Sequence, residues 1–266
     1  MSVLVVIPAR YASARYPGKP LAPLTGATGV AKPLVQRSWE AARAVPGVDR
    51  VVVATDDDRI AEACAGFGAE AVMTDPACAN GTERCADVLR GLGVLPEIVV
   101  NLQGDAPLTP PWFVEALVDA MRADPGTEVA TPVLRCSAEA LAGFHADRAA
   151  GRVGGTTAVF DAAGRALYFS KEVIPYTGRD LAAAETVPVF HHVGVYAYRP
   201  AALAAYAALP AGPLERWEGL EQLRFLENGH PVRCVEVAAR GAAFWELNNP
   251  ADIHRVESGL RNRNIP

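Results

Sequence analysis

Val3-Leu4-Val5-Val6-Ile7 and the loop behind it, Pro8-Ala9-Arg10-Tyr11-Ala12-Ser13-Ala14-Arg15-Tyr16-Pro17-Gly18-Lys19-Pro20, decide how the rest of the chain is read. A short, unbroken run of branched apolar residues predicts a strand buried on both faces. The loop carries three cations, Arg10, Arg15 and Lys19, and no acid. Three like charges repel one another unless an anion joins them. A triphosphate meets that demand: arginine grips phosphate oxygens bidentately, lysine adds a mobile point charge, and small residues let backbone amides approach. The segment is neither G-x-G-x-x-G nor a P-loop, because Gly18-Lys19 runs into Pro20 and the spaced first glycine is absent. Taken alone, it also reads as a solvated basic surface loop.

Three more short apolar runs follow, at 50–54, 71–73 and 98–102, and between them 33–44 and 59–67 have helical spacing. Strands alternating with helices predict an α/β fold with a mostly parallel central sheet covered on both faces. Ligands of such sheets lie beyond the carboxyl ends of the strands. The second half changes character. Runs at 156–160, 166–170 and 192–198 predict antiparallel strands, with a turn at Asp161-Ala162-Ala163-Gly164. Helices are predicted over 214–227 and 250–261. With no linker or repeat, residues 1–266 read as a single domain with an inserted antiparallel β unit at about 156–200.

Composition narrows the function classes. The 266 residues are 50% hydrophobic and 21% charged with a formal net charge of -5, so no global field draws the chain to nucleic acid or an anionic membrane. The five cysteines never form a C-x-x-C pair, which predicts reduced thiols rather than a disulfide framework or zinc clip. No basic stretch precedes the apolar start and no run is long enough to span a bilayer, so a cytoplasmic protein is expected. A dehydrogenase is disfavoured by the missing glycine fingerprint.

The loop is similar to the signature loop of the CMP-KDO synthetases, the 3-deoxy-manno-octulosonate cytidylyltransferases. The resemblance runs through Ala54-Thr55-Asp56-Asp57, Asn80-Gly81-Thr82-Glu83-Arg84, Asn101-Leu102-Gln103-Gly104-Asp105, Ala166-Leu167-Tyr168-Phe169-Ser170, His192-Val193-Gly194-Val195-Tyr196 and Leu220-Glu221-Gln222-Leu223-Arg224. It implies a Rossmann-like nucleotidyltransferase fold in which an acidic acceptor attacks the α-phosphorus of CTP. Such transfer needs positioning and charge neutralisation rather than a covalent protein intermediate. By resemblance, Arg10, Arg15 and Lys19 serve the triphosphate. Pro8, Ala9, Arg10, Asp56, Asn80, Gly81, Thr82, Arg84 and Gln103 border the nucleotide, and Gln103, His192, Tyr196, Glu221 and Gln222 contact the acceptor. Asp105 and Asn248 stand at the Mg²⁺ positions, and the β unit forms a homodimer interface. From the residues alone, Thr82 is a candidate helix cap and His192 a candidate structural histidine.

Three departures leave the acceptor open. Ala106 stands where the family has Glu, Thr157 where it carries a lysine, and Asn248 where it carries a metal-binding aspartate. An amide brings no negative charge to a cation. A phosphonate acceptor, supplying that charge itself, or a non-catalytic nucleotide-binding homologue are therefore alternatives to a sugar-acid transferase.

Overall fold

The computed structural model describes residues 2–12, 16–153, 155–178, 186–242 and 244–266. The chain opens with β1 (Val3–Pro8), a small hairpin β2 (Pro23–Thr25) and β3 (Ala31–Pro33), then α1 (Leu34–Arg43), β4 (Arg50–Thr55), α2 (Asp58–Phe67) and β5 (Glu70–Met73). It continues through α3 (Gly81–Arg90), β6 (Ile98–Leu102), α4 (Pro111–Ala123), β7 (Val129–Arg135), α5 (Ala138–Ala149), β8 (Thr156–Phe160) and β9 (Ala166–Ser170). The remainder is β10 (Phe190–His192), β11 (Val195–Tyr198), α6 (Pro200–Tyr206), α7 (Pro213–Glu218), α8 (Leu223–Glu227), β12 (Val232–Val237) and α9 (Ile253–Asn262).

The expected parallel unit is present: β5, β4, β1 and β6 lie side by side, with Val5 opposite Val51 on one flank and Val100 on the other. β1 shows why its sequence does not alternate. Val3, Val5 and Ile7 pack with Val35, Ile60, Phe113 and Leu117 of α1, α2 and α4. Leu4 and Val6 pack with Cys85, Leu89, Leu203 and Phe225 of α3, α6 and α8. Both faces are core, so both demand apolar side chains.

The second half is where the sequence reading needs correction. The run 192–198 is two strands: β11 pairs with β6 and β7, whereas β10 pairs with β7 and β8. The division falls opposite Pro132 of β7. Val193 donates from its amide to the Pro132 carbonyl at 3.1 Å, and a proline has no N–H to return along that side. β7 and β12, pairing in parallel, escaped the sequence reading. The helix expected over 214–227 breaks into α7 and α8 at Gly219, whose φ of 61° is left-handed. α9 begins at Ile253 behind a 3₁₀ turn at Pro250–Asp252. β8, β9 and β10 are not a separate hairpin but carry the central sheet outward in the order β7-β10-β8-β9. Phe169 is fully buried, while Leu167 and Tyr176 face outward. All five cysteines are free thiols, and no helix among the described residues is long and apolar enough to cross a membrane.

Candidate active site

The cationic loop closes on itself at the carboxyl end of β1. Gly18 donates to the Tyr11 carbonyl at 2.9 Å, Lys19 to that of Tyr16 at 3.2 Å, and the Arg59 guanidinium lies 3.3 Å from the centre of the Tyr11 ring. Gly18 has φ 72°, and a side chain there would strike the Tyr11 ring. Ala9 is buried, its amide on the Ala54 carbonyl of β4 at 2.8 Å, so the next residue, Arg10, projects to the surface at the sheet's end. Arg15 lies outside the described residues. The Lys19 ammonium sits 2.5 Å from an Asp105 carboxylate oxygen.

That contact ties the loop to the turn after β6. A side-chain carbon on Gly104 would come within 2.5 Å of the Pro8 carbonyl oxygen, so only glycine allows β1 and this turn to approach so closely. Ser38 of α1 donates to the Gly104 carbonyl at 2.8 Å, and Leu247 donates to that of Asp105 at 2.8 Å. A side-chain carbon on Gly81, at the start of α3, would be 3.3 Å from Pro8 and 3.5 Å from both amide atoms of Gln103. Pro8, Gly81, Gln103, Gly104, Asp105 and Lys19 therefore converge beyond the carboxyl ends of β1 and β6.

Other residues of the α3 entrance turn inward. Asn80 is the cap: its side chain accepts from the Glu83 amide at 2.8 Å and donates to the Tyr206 hydroxyl at 3.0 Å. This corrects the assignment of the cap to Thr82, which is 1% exposed and shares a 3.2 Å hydrogen bond with the Tyr198 hydroxyl. Arg84 is 2% exposed, and its guanidinium holds Thr74 at 2.5 Å and Asp56 at 3.0 Å. Asn80, Thr82 and Arg84 thus make these hydrogen bonds within the protein, and Gly81 is the member of that motif set against Pro8 and Gln103.

The acceptor candidates form a wall on the α3 side of the sheet. The Tyr196 hydroxyl donates to the side-chain amide oxygen Oε1 of Gln222 at 3.1 Å; Gln222 is 3% exposed, and its Nε2 has no hydrogen-bond partner among the described residues. Asn101, across the ladder from Tyr196, is fully buried with both amide atoms equally unpaired. Buried polar groups without partners are costly, so these amides mark the wall as strained. Glu221 accepts from the Thr82 amide at 3.2 Å, at the start of α3 where the helix dipole favours an anion, though burial still raises its pKa above the usual carboxylate value. Arg224 braces this loop, gripping Glu215 at 2.7 and 2.8 Å and Glu83 at 3.0 Å.

His192 belongs to the wall's interior. Its Nε2 is 3.0 Å from the Thr131 hydroxyl, whose own proton can go to Val193 or Val195, and its ring packs edge-on against Phe169. Burial lowers its pKa to about 3, so it is neutral. Its ring lies 5.6 Å from that of Tyr196, which it helps to place. His191 faces the other side, against Phe144 and Phe244. It lines a cavity of about 550 Å³ with Cys136, Phe144 and Val237, apart from the converging residues.

Asn248 lies beside Asp105 through the Leu247 tie. Its side-chain amide is 3.5 Å from a carboxylate oxygen of Glu246, and its backbone amide donates to Asp252 at 3.1 Å. Glu246 and Ser38 escaped the sequence reading; an acid two residues before Asn248 was the available signal for the first, and nothing marked the second.

A family described as Cytidylyltransferase matches residues 4–236. The chain belongs to the cytidylyltransferase family. It is 50% identical over 257 residues, 97% of its length and 96% of the relative's, to a 3-deoxy-manno-octulosonate cytidylyltransferase of Maricaulis maris. It is 42% identical over 98% of its length and 99% of the relative's to an 8-amino-3,8-dideoxy-manno-octulosonate cytidylyltransferase of Shewanella baltica. Among solved structures, a CMP:2-keto-3-deoxy-manno-octonic acid synthetase complexed with CTP is 38% identical with a TM-score of 0.81, covering 97% of this chain and 98% of that one. The cytidylyltransferase fold expected from the first loop is thus the fold observed.

Proposed function

We propose that this cytidylyltransferase joins CTP to 3-deoxy-manno-octulosonate. An acceptor hydroxyl oxygen attacks the α-phosphorus and gives up its proton to solvent, a new P–O bond forms, the bond to the β-phosphate oxygen breaks, and pyrophosphate leaves with that bond's electrons. The observation that carries this reading is the 50% identity over 97% of the chain to a relative named for that acceptor. The CTP-complexed neighbour supports the donor.

The residues divide the work. Arg10 and Lys19 face the charge that grows on the leaving pyrophosphate, where fixed cations stabilise the transition state more than the ground state. Gly81, Gln103 and Pro8 supply a close-fitting floor for the nucleotide. Tyr196, Gln222 and Glu221 hold the acid. We assign Mg²⁺ to the Asp105 corner, whose donors are oxygens that suit a hard cation and whose carboxylate already accepts an ammonium at 2.5 Å. When bound, the ion would offset phosphate charge, and Asp105 and the Asn248 amide oxygen would hold it.

A phosphonate acceptor loses its support. The full-length relatives at 50% and 42% identity are named for sugar-acid acceptors, and Ala106 and Thr157 are buried, Thr157 with its hydroxyl donating to the Glu172 carbonyl at 2.6 Å. Outside the site, we propose a homodimer covering the β9 edge, where Leu167 is 64%, Trp217 87% and Tyr176 92% exposed. Free thiols suit a reducing cytoplasm. The test is pyrophosphate release from CTP and Mg²⁺ with 3-deoxy-manno-octulosonate, its 8-amino analogue and phosphonoformate in separate arms. Release with the first acid is expected; silence there with turnover of either other acid overturns the acceptor assignment. Sedimentation as a monomer at micromolar concentration would remove the dimer.

A further inference from the structure

Two segments far apart in the chain meet on the α3 side of the sheet: the first turn of α3, where Gly81 faces Pro8 and Gln103, and the turn between α7 and α8, which carries Glu221 and Gln222. Tyr206, the last residue of α6, belongs to neither and is fully buried where they join. Its hydroxyl oxygen accepts from Asn80 Nδ2 at 3.0 Å and lies 3.3 Å from the Glu221 carbonyl oxygen. The direction of this chain of bonds is fixed. The Asn80 side-chain oxygen is taken by the Glu83 amide at 2.8 Å, so its nitrogen faces Tyr206, and an amide nitrogen only donates. The hydroxyl therefore gives its own proton to Glu221. Burial first, and the Glu221 carboxylate next, push the Tyr206 pKa far above its ordinary value, so that proton stays in place. The Glu221 carboxylate returns to the same helix turn, accepting from the Thr82 amide at 3.2 Å. The Tyr206 ring rests on Phe225, 5.0 Å between centres, with the Arg224 guanidinium 4.3 Å from its own centre.

We propose that Tyr206 is a positioning residue for the transfer: its hydroxyl ties the nucleotide-side turn of α3 to the acceptor-side turn at Glu221, and so sets where the acid stands relative to the α-phosphorus. It acts through Asn80 and Glu221. The tie carries register more than affinity, because each turn keeps its own bonds without it. Asn80 still caps α3 through the Glu83 amide, and Arg224 still joins Glu83 to Glu215 at the rim of the two elements. Only Tyr206 reaches from the cap to the Glu221 backbone. Losing that link shifts one turn against the other, and a misplacement of about 1 Å costs about 10² in a rate that depends on near-attack geometry.

This inference rests on the CTP reading, and the test separates the two. Tyr206→Phe keeps the ring contacts and removes only the hydroxyl. Pyrophosphate release from CTP and 3-deoxy-manno-octulosonate should show kcat lower by about tenfold or more, with both KM values within about threefold of the native ones. A residue that only stabilised the fold would lower Tm and leave kcat of the folded protein unchanged. Asn80→Ser keeps an oxygen for the Glu83 amide but is too short to reach Tyr206. It should lower kcat by less, and adding it to Tyr206→Phe should lower kcat no further, since both act through one chain of bonds. If Tyr206→Phe folds poorly, Asn80→Ser alone decides, and native kcat there overturns the proposal. Unchanged kcat in Tyr206→Phe, or losses that add in the double variant, overturns it as well. Hydrogen exchange at the Thr82 amide reads the tie without turnover, and Tyr206→Phe should speed it by about tenfold. A native chain silent with CTP and this acid would overturn the function reading, and unchanged exchange would then overturn the tie.

Discussion

The first loop and the acceptor wall sit at the same sheet yet are built on opposite principles. The loop holds Arg10 in solvent and Lys19 on Asp105, and its shape is set by backbone hydrogen bonds that join Tyr11 to Gly18 and Tyr16 to Lys19. The wall is buried, made of Tyr196, Gln222, Asn101 and His192, and its shape is set by side chains from β6, β7, β10, β11 and the α7–α8 turn. A triphosphate is recognised mainly by charge, which acts over distance and tolerates mobility. A sugar acid is recognised by hydrogen bonds that must be in register. The difference teaches that one region will fail by losing rate and the other by losing fit or fold.

Lys19→Ala sharpens that contrast most. Lys19 is largely buried against Asp105, and losing one such ion pair near the surface should cost only about 1 kcal/mol of stability, while kcat should fall by about 10²–10³, the scale of a lost transition-state contact. Steady-state pyrophosphate release beside thermal melting checks it, and full turnover would end the comparison.

Acid should expose the wall's weakness. His191 and His192 have folded pKa values lowered by burial to about 4 and about 3, below the ordinary 6.5. Between those limits the unfolded chain binds protons that the folded one refuses, so stability present above pH 6.5 is lost as pH falls. From pH 7 to pH 5 each histidine should cost about 2 kcal/mol, and His192→Asn should flatten part of that slope. Urea unfolding at the two pH values measures it; an unchanged slope in the variant would show that His192 is not held neutral.

Gln222→Ala should be milder and more selective. Losing one neutral hydrogen-bonding group costs about 1–2 kcal/mol, so acceptor KM should rise about tenfold with the KM for CTP unchanged. Equal changes in both KM values would erase the division between regions. Smallest of all, Thr82→Val removes the hydroxyl paired with Tyr198 and should cost about 1 kcal/mol of stability. Denaturant melts would report it.

The sequence made the parallel half legible because its strands are local, apolar and regularly spaced, and because a loop with three cations and no acid has few structural uses. The antiparallel half was harder. Pro132 splits what reads as one strand at 192–198, and Gly219 splits what reads as one helix at 214–227, leaving Glu221 and Gln222 in the turn between. Motif letters also hid direction: Asn80, Thr82 and Arg84 hydrogen-bond Tyr206, Tyr198 and Asp56 within the protein. Which way a polar side chain turns depends on partners more than 25 positions away, and spacing carries no trace of them.

A crystal structure with CTP and a non-reacting analogue of 3-deoxy-manno-octulosonate tests the division of labour most directly. The account predicts the triphosphate against Arg10 and Lys19 and the acid's polar groups on Gln222 and Tyr196. A nucleotide seated elsewhere, or an acid bound away from that wall, would contradict it.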